Sequence, residues 1–206
     1  MYKRFGKRIL DFTCALIGII LLSWLLLIVA IAVKTTSKGP ILFRQRRIGC
    51  HKKEFMILKF RSMYTETPKD MPTHLLQNPD TFITPVGRFI RKTSLDELPQ
   101  LFNILAGQMA VVGPRPALWN QYDLIAERDK YGANDIRPGL TGWAQVNGRD
   151  ELPINVKARF DGEYVNRIGF AFDMKIIWDT AMQVVRSEGV VEGAAPQDND
   201  QKEVHK

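Results

Sequence analysis

From Phe12 to Val33 the chain runs for twenty-two residues without a formal charge, most of them Leu, Ile, Val or Ala. As a helix such a run extends about 33 Å, enough to cross a hydrocarbon core of about 30 Å. A membrane element is the strongest expectation that composition offers. The run is too long and too rich in leucine for a secretory signal. It continues into Lys34-Thr-Thr-Ser-Lys38 without a small-residue cleavage site, so it is expected to stay in the mature protein. Basic residues flank both ends, which places both on the cytoplasmic side. A helix that enters one leaflet, bends and returns fits that pattern. A straight span is the alternative, because a bend needs a cause and only Gly18 and Ser23 offer one. Lys7, Arg8, Asp11 and Ser23 are the expected membrane-anchoring residues, with Asp11 paired one turn back to Lys7 or Arg8 at the interface.

The remainder of the 206 residues, in a chain 45% hydrophobic, suffices for one sizeable core. The expected organisation is a membrane element over 1–36, a globular domain over 37–189, and a small, polar, disordered tail over 190–206. The expected fold class is α+β and mostly helical. A short β-hairpin pairs Ile41–Gln45 with Phe55–Phe60 around the basic turn Arg46–Lys53. Helical patterns follow near 86–92, 95–105, 117–131, 154–167 and 172–186, and their apolar faces suit either the membrane interface or a homodimer. Cys14 and Cys50 form neither a disulfide framework nor a metal cluster, which points to a reducing compartment. The +7 charge is compatible with anionic lipid, nucleic acid or a phosphorylated substrate. No nucleic-acid module accompanies it, so no nucleic-acid partner is expected.

The chemistry-bearing residues fall in three segments. In Thr93-Ser-Leu-Asp-Glu-Leu-Pro-Gln100, Ser94 and Glu97 have capping-box spacing, so a helix is expected to begin here. The dipole of that helix would favour the ionised forms of Asp96 and Glu97. Acids at a helix start are more often caps than catalysts, but Arg88 and Arg91 lie within two turns. A carboxylate holding a divalent ion, with arginines facing phosphate oxygens, is the usual arrangement for phosphoryl transfer. In Val112-Gly-Pro-Arg-Pro116, prolines on both sides restrict the backbone and present Arg115 rigidly. In Arg137-Pro-Gly-Leu-Thr-Gly-Trp-Ala-Gln-Val-Asn-Gly-Arg149, glycines at 139, 142 and 148 suit backbone approach to an anion. There Gln145 and Asn147 suit a base or sugar edge, and Trp143 suits stacking on a base or the membrane interface. Histidines 51, 74 and 205 lack zinc spacing, and there is no Walker-type loop.

In this order, Lys7-Arg8-x-x-Asp11, Ser37-Lys-Gly-Pro40, Lys59-Phe-Arg-Ser-Met63, Ser94 to Asn103, Gly113-Pro-Arg-Pro116 and Arg137 to Arg149 resemble the bacterial sugar transferase family, specifically its minimal monotopic phosphoglycosyl transferases. The resemblance runs from about residue 3 to 189. It implies an enzyme on the cytoplasmic face of the bacterial inner membrane that takes a UDP-sugar and polyprenol phosphate, with Mg2+ as cofactor, and releases UMP. It implies Asp96 as the nucleophile and metal contact, and Glu97 as the second acid, either positioning metal or activating the lipid phosphate. Arg91 and Arg115 match phosphate-binding positions, while Lys59, Arg137, Gln145 and Arg149 match motif positions of looser role. One departure stands out: the family's membrane helix carries Ser-Pro at its centre, and here the pair is Ser23-Trp24. The rival to this reading is a membrane-bound protein that binds a nucleotide-sugar or lipid phosphate without turnover.

Overall fold

A computed structural model describes residues 2–68, 78–148 and 152–186; the expected tail therefore lies outside the described residues, as does Arg149. A π-helical turn, Tyr2–Gly6, leads into one unbroken helix, α1 (Lys7–Thr36). Its thirty residues extend about 45 Å. The hairpin follows as β1 (Leu42–Ile48) and β2 (Glu54–Phe60), antiparallel in the register Leu42↔Phe60 to Ile48↔Glu54. Both strands exceed the expected spans, because the basic turn is only a 3-10 turn at Cys50–Lys52. His51 and Lys52 there adopt positive φ.

The helices expected near 86–92, 154–167 and 172–186 are present as α2 (Pro85–Lys92), α6 (Ile154–Arg167) and α7 (Phe170–Arg186). Thr84 caps α2 by accepting the Gly87 N–H, with Pro85 in the first turn, the placement in which proline costs no hydrogen bond. The single helix expected over 95–105 is instead a 3-10 turn, Leu95–Glu97, followed by α3 (Gln100–Leu105). The helix expected over 117–131 shortens to α4 (Tyr122–Asp129). The glycine-rich segment holds β4 (Gly139–Thr141), which pairs in parallel with β3 (Ala110–Val112), and a short helix, α5 (Trp143–Val146). Strands of three residues carry too little period-two pattern to be read from sequence.

One stripe of α1 packs against the globular part along nearly its full length. Ala15 and Ile19 join Phe55, Ile57, Leu101, Ile104 and Met109. Further along, Leu25, Leu26, Val29, Ala30 and Val33 join Phe60, Ile90, Leu95 and Leu98. These positions recur at the three- and four-residue spacing of one helix face. The remaining faces are equally apolar and uncovered: Ile9, Ile20, Leu21, Trp24 and Leu27 are each more than half exposed. A core helix of a soluble domain would be mostly buried, whereas only 11% of this helix's most apolar window is. Its open surface needs a nonpolar medium beyond the protein.

Both ends of α1 are pinned by polar contacts. Arg8 donates to the carbonyls of Ile104 and Leu105 at 2.7 and 3.0 Å, capping the C-terminus of α3. Arg61 donates to Val33, Ser37 and Lys38 and so caps the C-terminus of α1. Asp11 is not the interfacial residue expected from its spacing. It is buried and accepts the Val111 N–H at 2.9 Å, while Lys7 stands 3.8 Å from it and makes its close bond to Asp173 at 2.8 Å. The unpaired edge of β3 supplies the donor that fixes Asp11 inward. Ser23 does bond back, its hydroxyl donating to the Ile20 carbonyl at 2.9 Å.

Candidate active site

The acid pair sits where α2 reverses into α3. After α2 the chain turns through Ser94 at φ 56°, a left-handed conformation that costs a non-glycine residue energy and tends to persist where function requires it. Leu95 and Leu98 are drawn into the core beside α1, leaving Asp96 and Glu97 on the turn between them. The expected capping box does not form. Ser94 makes no side-chain cap, and the Glu97 carboxylate is taken by Lys59 at 2.7 Å and Arg115 at 3.1 Å. Charge-assisted bonds of this kind outcompete a neutral backbone N–H.

The two acids are therefore unlike. Asp96 is buried, with Lys59 Nζ at 3.9 Å, and its carboxylate accepts no hydrogen bond among the described residues. Burial pushes its pKa above the ordinary value; Lys59, Arg91 and Arg115 oppose that rise, and Glu97 adds to it. For Glu97 burial acts in the same upward direction but loses to Lys59 and Arg115, whose charges and hydrogen bonds hold it well below the usual carboxylate range. The helix dipole expected to ionise both acids is not what sets either: a 3-10 turn of three residues has little macrodipole. Arg91 acts on Asp96 electrostatically, and its Nε is buried without a partner. Gln100, one turn beyond the acids, is likewise buried with an unpartnered Nε2; a buried donor without an acceptor is costly. Arg88 is exposed on α2.

Lys59 reaches the acids from β2, and Asn103 holds β2 against α3. Its carboxamide accepts the Leu58 N–H at 3.0 Å and donates to the Met56 carbonyl at 2.9 Å. Arg115 is held as rigidly as its prolines suggest, with the carbonyls of Pro114, Pro116 and Ala117 accepting from Gly139, Arg47 and Ile48.

The glycine-rich loop has a different role from the one its composition suggests. A Cβ on Gly139 would lie 2.1 Å from the Gly113 nitrogen, and one on Gly142 would lie 2.1 Å from the Gly113 oxygen. These glycines allow the loop backbone to approach the backbone of Gly113. Trp143 is half-buried, donates to Glu163 at 2.9 Å and packs on Phe172. Arg137 donates to the Gly107 carbonyl, Gln145 to Leu140 and Asn147 to Trp143. The contacts of Gln145 and Asn147 are local, that of Arg137 reaches the turn after α3, and among the described residues none of the three bonds to Asp96 or Glu97.

Sequence reasoning missed the Arg128–Asp161 pair, in which the guanidinium meets the carboxylate at 2.7 Å with both side chains buried. Nothing in the charged run Glu127-Arg128-Asp129-Lys130 marks one of the four as buried.

The site thus pairs a buried carboxylate that accepts no hydrogen bond among the described residues with a second acid held by two cations, on a domain packed along an apolar helix. The bacterial sugar transferase family pattern matches residues 2–187, and the chain belongs to that family. It is an enzyme of the polyprenol-phosphate phosphoglycosyl transferase type. It is 39% identical to the uncharacterized sugar transferase EpsL of Bacillus subtilis over 184 residues, covering 89% of each chain. It is 40% identical to the UDP-glucose:undecaprenyl-phosphate glucose-1-phosphate transferase of Escherichia coli, over 88% of this chain and 40% of that one. With the undecaprenyl-phosphate galactose phosphotransferase of Salmonella typhimurium the figures are 37%, 91% and 42%. The chain thus spans less than half the length of these last two relatives.

Proposed function

We propose that this protein transfers a sugar 1-phosphate from a UDP-sugar to polyprenol phosphate through two displacements at Asp96, the first step of a membrane-associated glycan. The observation that carries this reading is the asymmetry of the acids: among the described residues Asp96 is buried near cations yet accepts no hydrogen bond, while one Glu97 oxygen accepts from both Lys59 and Arg115. In the first displacement an Asp96 oxygen attacks the β-phosphorus and the bond to the bridging oxygen breaks, releasing UMP and leaving an aspartyl phosphosugar. In the second, a phosphate oxygen of the lipid attacks the same phosphorus, the aspartyl bond breaks, and the carboxylate is restored. A covalent intermediate lets one site serve a soluble donor and a lipid acceptor in turn.

Arg91 and Arg115 face the phosphate oxygens, and Glu97 fixes Lys59 and Arg115 at the distance the transferring group requires. Arg137, Gln145 and Asn147 lie on the loop that would meet the nucleotide. The donor set fits magnesium, which is commonly held by one or two carboxylates together with substrate phosphates. Asp96 is the available carboxylate, and among the described residues no cluster of three acidic, histidine or cysteine groups competes for the ion. When bound, the ion would neutralise charge on the diphosphate.

The packing of α1 supports a monotopic placement on the cytoplasmic face of the inner membrane. Both halves of the helix rest on the same globular body, which a helix leaving the far leaflet would not do. The outward face of α7, with Phe170 and Trp178 exposed, suits the interface. Incubation with a panel of UDP-sugars and magnesium, followed by acid quench and intact mass, should give a phosphosugar adduct on Asp96. UMP release without any adduct would refute the two-step path. Cysteines placed at residues 2 to 8 should label from the side of the globular domain in sealed vesicles; labelling from the opposite side would refute the monotopic placement.

A further inference from the structure

Arg115 stands in a loop whose consecutive carbonyls, from Pro114 to Ala117, each accept a hydrogen bond from a different residue. Three of these donors come from strands or a strand-borne arginine lying beside the loop. The fourth is Arg128, on α4, whose Nη1 donates to the Arg115 carbonyl at 2.9 Å. Its Nε and Nη2 both meet Asp161 Oδ2 of α6 at 2.7 Å. The guanidinium therefore ties two helices to the backbone of the residue whose side chain meets Glu97. Burying such a pair is a poor route to stability, since well-packed apolar residues commonly replace one without loss. What the pair does that apolar residues cannot do is direct one further N–H at a chosen carbonyl. A fork bonded on one edge to a buried carboxylate has little freedom left on the other.

We propose that Arg128 and Asp161 are positioning residues for phosphoryl transfer, setting through the Arg115 carbonyl where the Arg115 guanidinium stands over Glu97. The proposal rests on the transfer reaction assigned above. Displacing a contact by an ångström costs on the order of 100-fold in rate, so the effect should be large even though neither residue reaches the acids.

The test uses the full chain in detergent with UDP-glucose, UDP-galactose and polyprenol phosphate, comparing Arg128→Met/Asp161→Leu, Arg115→Ala and the triple variant. The paired substitution should keep the melting temperature near that of the native protein and lower kcat 10- to 100-fold, with a smaller change in KM. In the Arg115→Ala background it should lower kcat no further, because the route through Arg115 is already cut. Native kcat in the paired variant, or an equal loss in both backgrounds, would overturn the proposal. If the paired variant does not fold, Arg128→Lys, which keeps the charge toward Asp161 and loses the fork, is judged by the same comparison. Phenylglyoxal modification of Arg115, located by peptide mass, supplies a readout that needs no turnover. It should be several-fold faster in the paired variant, and an unchanged rate would refute the positioning role. Absence of UMP release by the native protein would sink the transfer reaction instead and leave that readout standing.

Discussion

Two buried polar clusters lie against α1, and they differ in how completely their groups are paired. At the N-terminal end, Asp173 receives the Tyr2 hydroxyl at 2.6 Å, Lys7 at 2.8 Å and the Tyr164 hydroxyl at 2.8 Å. Burial, reinforced by the Asp173 carboxylate, pushes both phenols far above the usual tyrosine range, so they remain donors at any working pH. Near the other end, Lys59, Arg91 and Arg115 surround two acids; among the described residues Asp96 meets Lys59 at 3.9 Å but accepts no hydrogen bond, and the Arg91 Nε is buried without one. A saturated network fixes structure, whereas an unsaturated one has capacity left for a ligand. The contrast fits a holding role for Asp173 and the reacting role proposed for Asp96.

The largest expected effect follows from Asp96→Asn. UMP release and the adduct should fall by at least about 1,000-fold, as for loss of a nucleophile. The same substitution should stabilise the protein. A carboxyl whose folded pKa is raised binds its proton more tightly in the fold, so ionisation costs stability as pH climbs from the ordinary range, about 3.9, through the raised value. Removing the charge recovers that loss at pH 7 and should raise Tm. Turnover near the native rate, or a lower Tm, would break the contrast between the clusters.

Asp173→Ala should act the opposite way. It strands a buried lysine and two hydroxyls, at a cost of about 3 kcal/mol, while kcat per folded molecule stays native. A large fall in kcat without thermal destabilisation would place Asp173 among the reacting groups. Glu97→Gln sharpens the comparison within the acid pair. Because Glu97 is held below its ordinary pKa, its contribution is present above about pH 4.3 and is lost as pH falls through the folded value. The neutral isostere should therefore lower stability at pH 7, opposite in sign to its neighbour, and retain measurable transfer. Melting curves of the two variants side by side at pH 7 would show the difference directly, and shifts of the same sign would refute it.

How much of this was legible in the sequence depended on what each residue's signal required. The apolar run, the hairpin and α6 carry their period in consecutive residues, and they appear where that period places them. Arg115 was readable because two prolines constrain it locally. The glycines at 139 and 142 were misread because composition shows only that backbone must come close to something, and the partner, Gly113, is some thirty residues away. The capping box failed for a similar reason: Ser94 and Glu97 have the spacing, but Lys59 and Arg115 arrive from distant elements and claim the carboxylate. Asp11 and Arg128 were invisible as buried groups because a charge in a sequence says nothing of the fold's far side.

The smallest effect is expected from Trp24→Pro, which restores the family's Ser-Pro pair. A proline within a helix ordinarily costs about 3 kcal/mol, partly by orphaning the carbonyl four residues earlier. Here that carbonyl belongs to Ile20 and already accepts the Ser23 hydroxyl at 2.9 Å. Trp24 itself is 62% exposed, on the face of α1 turned away from both clusters, so its removal should disturb neither. Transfer should stay within about threefold of native and Tm within a few degrees, well short of the usual proline cost. A collapse of either would mean that α1 must stay straight through residue 24. Its two halves would then hold the globular domain as one rigid rod, coupling the saturated cluster to the reactive one.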